Sequence, residues 1–313
     1  MVNLFTVVSN MKRYITYIII FFCAVFVVDR TVGFACDYLY SHAKGGDTKH
    51  TYDVFNNVTA DVIILGSSRA LHHYVPSIIE DSTGLSCYNC ACDNQGIINM
   101  YGRYKMIAKR KKPKYVICEI LPSLDIFKDV DDIKYLNSFK PFRDNLELAE
   151  IIKDYSPIEY FKTNSYIYRY NTSILQILKN YTQHGRLYEG KGFSPNNGKM
   201  NYTPEPHKEV IGEIDTFKVK YIHKLIEATK KDGVNLLFTS SPRYGADDDR
   251  SFALLKDICK KNQIPFITFY TDSSFNRNKE FFKDRSHLNK TGAYEYTKTF
   301  IKVIKPIVKK ENK

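Results

Sequence analysis

Five short apolar runs, each ended by a polar or turn-forming stretch, constrain this chain more than any other feature. They are residues 61–65 (DVIIL), 85–91 (LSCYNCA), 115–121 (YVICEIL), 234–240 (VNLLFTS) and 265–270 (PFITFY). Runs this short and this uniformly apolar read as strands buried on both faces. Helical spacing lies between them: Ile97, Met100, Tyr101 and Tyr104 within 97–110, then 215–231 closed by Asp232-Gly233, 251–261, and a closing segment 288–308. Strands alternating with helices predict an α/β domain with a five-stranded parallel sheet covered on both faces.

Residues 126–212 break the alternation. They are rich in tyrosine, asparagine and lysine, with helical pieces near 146–153 and 174–181 and a loop-like stretch 190–206. The segment reads as an insertion or cap over the core, within a domain spanning 59–313. Ahead of the core, 41–58 is polar and contains Gly45-Gly46, so a linker is expected there.

The N-terminus carries an uncharged apolar run, 14–28 (YITYIIIFFCAVFVV), preceded by Lys12-Arg13. As a helix it rises roughly 22 Å, short of the ~30 Å hydrocarbon core of a bilayer. The mostly apolar residues 31–40 could lengthen it. Basic residues on the N-terminal flank then place the cytoplasm on that side and the rest of the chain outside. The favoured expectation is an uncleaved single-pass anchor over 1–40. The competing ones are a signal peptide cleaved after Gly33-Phe34-Ala35, a lipid attachment at Cys36, and a buried core helix.

A formal charge of +12 over 313 residues implies attraction to something anionic. Export makes nucleic acid a poor partner, leaving a membrane surface or an acidic envelope polymer. The 24 tyrosines and absent tryptophan read as compositional drift, not as a site. Seven cysteines include the cluster Cys87, Cys90 and Cys92, but no second pair or nearby histidine completes a zinc set. They read as small apolar strand residues, with an exported disulfide as the alternative.

Two turns carry the chemistry. Gly66-Ser67-Ser68-Arg69 closes the first strand, and Asp284-Arg285-Ser286-His287 follows the fifth. In a parallel sheet, reactive groups gather at the carboxyl ends of strands near the switch in strand order. Ser68 there supplies a nucleophile, His287 a base and Asp284 the carboxylate that orients it. Arg69 could position an anionic substrate or pair with a carboxylate. Arg243 and Tyr244, after the fourth strand, point to the same rim or form an ordinary turn. His72 and His73 read as a rim or solvated pair, not as metal ligands. Asn289 is a candidate cap of the last helix, and Gly292 a close-packing position.

Together these residues resemble the SGNH, or GDSL-like, hydrolase superfamily. GSSR looks like its nucleophile block, with Ser68 matching the serine, and DRSHLN like its last block, with Asp284 and His287 matching acid and base. The resemblance covers roughly 58–125 and 213–308 and extends to the branch tethered by one N-terminal helix. It implies a flavodoxin-like αβα sandwich, plus cleavage or transfer of acyl esters without metal or cofactor. The family's oxyanion glycine has only Gly96 as a counterpart. Its glycine-x-asparagine block is absent, since residues 120–125 read ILPSLD. Asn94 or Gln95 could substitute as donors.

Three functions follow. The first is a membrane-anchored esterase or acyltransferase acting on O-acyl esters of an envelope polysaccharide or related polymer. The second is a non-catalytic protein of the same fold that binds a glycan or partner, consistent with the missing oxyanion residues. The third is an anion-binding flavodoxin-like module.

Overall fold

The computed structural model describes residues 4–128, 136–182, 185–202, 204–205 and 208–309. The remaining residues, including parts of the expected 126–212 insertion, lie outside the described set. The chain begins with helices α1 (Leu4–Ser41) and α2 (Gly46–Asn56), then strand β1 (Val62–Leu65), α3 (Ser68–His73), α4 (Pro76–Thr83) and β2 (Cys87–Asn89). Next come α5 (Ile97–Arg110), β3 (Tyr115–Glu119), α6 (Pro122–Asp125), α7 (Leu146–Tyr155), α8 (Pro157–Lys162), α9 (Tyr166–Tyr170) and α10 (Ile174–Thr182). The core closes with α11 (Thr216–Asp232), β4 (Asn235–Ser240), α12 (Ala253–Asn262), β5 (Phe266–Thr268), α13 (Ser273–Asn276) and α14 (Lys290–Lys309).

All five strands pair in parallel in the order β2-β1-β3-β4-β5. This is the flavodoxin-like order, and its switch point lies at the carboxyl ends of β1 and β3. Side chains alternate along each strand, so an apolar run buried on both faces feeds two cores. Ile63, Leu65, Val116, Cys118, Leu236 and Phe238 pack with α2, α5, α7, α11 and α12. Val62, Ile64, Tyr115, Ile117 and Leu237 pack with α3, α4 and α14. Cys87 joins the second core and Cys90 the first, each packing as a small hydrophobe.

The stretch 41–58 is not a linker. It contains α2, which buries Thr48, His50, Thr51, Val54 and Phe55 against the core. Polar residues make up half of that buried face, which is why hydropathy reads the segment as solvated. The chain leaves the sheet after Phe127 and returns at Ile214, where those two residues form an antiparallel bridge. Between them, α7 packs on the first core.

Helices α9 and α10 meet the C-terminal half of α1 in a separate small core of Cys36, Tyr40, Tyr170 and Ile177. Helix α1 is long and apolar enough to cross a membrane. Its distal part belongs to the folded body. The Asp29 carboxylate accepts from Ser165 Oγ at 2.6 Å and from the backbone N–H groups of Tyr166 and Ile167 at 3.0 Å, capping α9. Gly33 lets the ring of Tyr166 lie on the α1 backbone, where a Cβ would overlap it.

Candidate active site

The turn after β1 needs glycine. Gly66 has φ +150°, and a Cβ there would lie 2.6 Å from Ala70 Cβ and 2.9 Å from Glu119 Cβ. That tight turn starts α3 with Ser68 at its first position, so the Ser68 N–H, like the others of the first turn, has no intrahelical acceptor. The turn before α14 brings the other half. Asp284 Oδ1 accepts from the backbone N–H of Ser286 at 2.8 Å and of His287 at 2.9 Å, fixing the loop around the carboxylate.

The two turns meet. Ser68 Oγ lies 2.8 Å from His287 Nε2, and His287 Nδ1 lies 2.9 and 3.0 Å from the two Asp284 oxygens. Because Asp284 is acceptor-only when ionised, Nδ1 carries the proton and Nε2 is left to accept from Ser68. Burial pulls the Asp284 carboxyl upward, but the His287 hydrogen bond and charge and the two backbone N–H groups outweigh it, bringing it down to about 2. The carboxylate therefore stays ionised over the working range and holds one tautomer.

The serine opens into a crevice of about 580 Å³ lined by Ser68, His72, Asp93, Asn94, Arg186, Lys283 and His287, with one wall from Ser194, Pro195 and Asn196. The lining is mostly polar. Arg186 donates to Asp93 and lies 3.4 Å from Asp47, while His72 donates from Nδ1 to the Ser194 carbonyl at 2.5 Å. Burial raises the Asp93 carboxyl, but hydrogen bonds from His72 and Arg186 prevail and hold it below the usual carboxylate range. Asn94 sits in the left-handed region at φ 58°, exposed in the crevice, and its amide bonds no other described residue.

Several expected site residues lie elsewhere. Arg69 is fully buried under the crevice floor: its Nε is 3.2 Å from Glu119 Oε1, and it also donates to Ser241. Arg243 does not line the crevice; it packs near Tyr270, and burial lowers its guanidinium pKa. Gly96 caps α5 against the turn after β3, where a Cβ would lie 2.8 Å from Asp125 Oδ1 and 2.9 Å from the Leu124 carbonyl. The glycine serves close packing and does not line the crevice. Gln95 accepts from Arg103 at 3.5 Å. His72 reaches the rim as expected, whereas His73 is wholly buried.

His73 is the residue that sequence reasoning undervalued. The backbone N–H of Leu288, next to His287, donates to His73 Nε2 at 2.9 Å. This puts the ring proton on Nδ1, which donates to Ser241 Oγ at 2.7 Å, and Ser241 Oγ donates in turn to Glu119 Oε1 at 2.8 Å. Glu119 also accepts from Tyr74 at 2.5 Å and from the Ser241 N–H at 3.0 Å. Burial, then the charges of Arg69 and His287, hold His73 well below the ordinary imidazole range. A neutral, fully bonded ring thus ties the His287 loop to the ends of β3 and β4.

No family model matches this sequence, and no curated protein does. Among solved structures, the chain is similar to a protein from Bacteroides fragilis assigned as an acylhydrolase, at 13% identity and TM-score 0.43 over 84% of this chain and 98% of that one. It is also similar to a GDSL-like lipase from Bacteroides thetaiotaomicron, at 11% identity and TM-score 0.39 over 80% of this chain and 87% of that one. A third is a protein from Desulfitobacterium hafniense assigned to the lipolytic G-D-S-L family, at 9% identity and TM-score 0.40 over 78% and 98%. These are likenesses of fold at low identity. The chemical argument rests on the side-chain geometry.

Proposed function

We propose that this chain is a membrane-tethered serine ester hydrolase or O-acyltransferase of the SGNH type, acting on O-acyl esters of an envelope polysaccharide or related polymer. One observation carries the reading: Ser68 Oγ at 2.8 Å from His287 Nε2, with Asp284 on the other ring nitrogen, in an open crevice. Ser68 Oγ attacks the acyl carbonyl carbon while His287 Nε2 takes its proton, and Asp284 stabilises the imidazolium that forms. The Ser68 N–H and the amide of Asn94, which lines the same crevice, are assigned as donors to the oxyanion, charge that develops only in the transition state. Collapse expels the alcohol, protonated by His287, and leaves an acyl-Ser68 ester. Water then releases the acid, or a second hydroxyl takes the acyl group.

The crevice supports a hydrophilic substrate. Arg186, Lys283 and Asp93 sit on its walls beside Asn94 and Asn196, a lining suited to a hydroxyl-rich polymer rather than a long alkyl chain. The contacts of α1 support a retained anchor. Cleavage after Ala35 would remove Asp29 from the start of α9 and Gly33 from beneath Tyr166. With Lys12-Arg13 inside, the crevice faces the exterior.

The test is turnover of a small activated ester such as p-nitrophenyl acetate by the full chain in detergent. Release of p-nitrophenol that is abolished in Ser68→Ala and His287→Ala supports the reading. Equal release by wild type and Ser68→Ala contradicts it.

A further inference from the structure

Among the described residues a second cavity lies apart from the catalytic crevice. It is an apolar groove of about 860 Å³ between α1 and the insertion helices α8 and α9, lined by Phe22, Phe26, Phe161 and Ile167 with Arg30 and Lys162 at its rim. From this groove we propose that α8 and α9 dip into the outer leaflet beside the anchor and that the groove seats an anionic phospholipid. The acyl chain lies along the phenylalanines and the phosphate at Arg30 and Lys162. This inference rests on the retained-anchor reading, and is independent of the catalytic one.

Three observations carry it. The uncharged run 14–28 rises roughly 22 Å as a helix, about 8 Å short of a ~30 Å hydrocarbon core, so a locally thinned leaflet ends near Val28. Helix α1 continues unbroken through that level. What stands beside it there is the insertion, whose helices α8 and α9 hold apolar side chains outward: Ile158 at 67% exposed, Phe161 at 74% and Ile167 at 40%. A water-facing surface does not ordinarily gather such residues next to an apolar helix.

The second observation is the treatment of charge at this depth. Asp29 is buried, and all its hydrogen bonds come from α9 and its cap. The insertion thereby removes the carboxylate nearest the apolar run from lipid, where an unsatisfied charge is expensive. The third is the sign of what remains at the rim. Arg30 donates to the Asn164 carbonyl at 3.1 Å and stacks on Phe26 and Tyr166, leaving part of its fork outward. Lys162 bonds Glu159 at 2.9 Å and is half exposed. Cations whose stems lie on apolar surface and whose heads reach outward suit the phosphate level of a bilayer.

The sequence supplies the probe, because the chain contains no tryptophan and each one introduced is a unique fluorophore. Full-length Phe22→Trp, Phe161→Trp, Ile167→Trp and Val303→Trp are reconstituted into vesicles whose lipids carry bromine near the middle of the acyl chain. Val303 is exposed on α14, in the opposite layer. The proposal expects Phe161→Trp and Ile167→Trp to be quenched comparably to Phe22→Trp and at least about two-fold more than Val303→Trp, since bromine quenches only at hydrocarbon depth. Quenching of Phe22→Trp alone overturns the proposal and leaves the anchor standing; loss of quenching at Phe22 as well sinks both. For the headgroup, brominated phosphatidylglycerol at a minor fraction should quench Phe161→Trp about two-fold more than brominated phosphatidylcholine at the same fraction, a bias removed by Arg30→Gln with Lys162→Gln. Equal quenching by the two lipids overturns the anionic assignment.

Discussion

Replacing His73 by phenylalanine keeps a buried ring but removes both nitrogens. Leu288 N–H then loses its acceptor, 2.9 Å away, and Ser241 Oγ loses a donor at 2.7 Å. An unsatisfied buried donor costs about 1–3 kcal/mol. Ser241 keeps its bonds to Arg69 and Glu119, so most of the loss sits on the Leu288 side. That side carries His287, and a displacement approaching 1 Å there costs up to ~10²-fold in rate. Urea unfolding should therefore show a loss of about 1–3 kcal/mol. Ester turnover per folded molecule should fall about 10- to 100-fold in kcat with KM little changed, because the substrate-lining residues stay in place. His73→Gln, whose carboxamide offers an acceptor and a donor, should recover part of the kcat. A His73→Phe variant with full kcat per folded molecule would refute the claim that His73 positions the base.

Other consequences can be checked alongside. Asn94→Ala should lower kcat by about 10²–10³, the usual loss for one oxyanion donor, and cost about 1 kcal/mol of stability because alanine tolerates the left-handed region less well than asparagine; an unchanged kcat removes Asn94 from that role. Arg69→Met leaves Glu119 buried without its cation and should cost about 3–5 kcal/mol by chemical denaturation, much of it restored by adding Glu119→Gln; a near-neutral single variant contradicts the buried pair. His73 and His50 are both buried and neutral, His50 lowered to about 3 chiefly by burial. The unfolded chain binds protons at both below about pH 6.5 while the folded one does not, so each lowers stability by up to about 1.4 kcal/mol per pH unit on acidification from 6.5 toward 4. Denaturation midpoints measured across that window should fall accordingly, and a flat profile contradicts the two neutral rings.

The strands and the reacting pair were legible for one reason. Runs such as VIIL have no polar face to spend on solvent, and Ser68 and His287 each follow a strand at its carboxyl end. The rest depends on contacts that spacing does not encode. Arg69 lies beside Ser68 in sequence, but its partner Glu119 comes from another strand. The one usable signal was a lone carboxylate inside the run YVICEIL, which cannot stay unpaired when buried. Gly96 looked like an oxyanion donor because glycine in a loop reads as freedom, whereas here it makes room for Asp125. Arg186 comes from an insertion with no strand to mark its place, so nothing local announced that it reaches the crevice.

The whole account turns on whether Ser68 is a nucleophile. Intact mass measured after treating the full chain with a fluorophosphonate tests this directly, because the reagent bonds only an activated serine. A single adduct mapped to Ser68, absent in Ser68→Ala and slowed in His287→Ala, is the expected result. An unmodified wild-type chain, or an adduct that persists in Ser68→Ala, would contradict it.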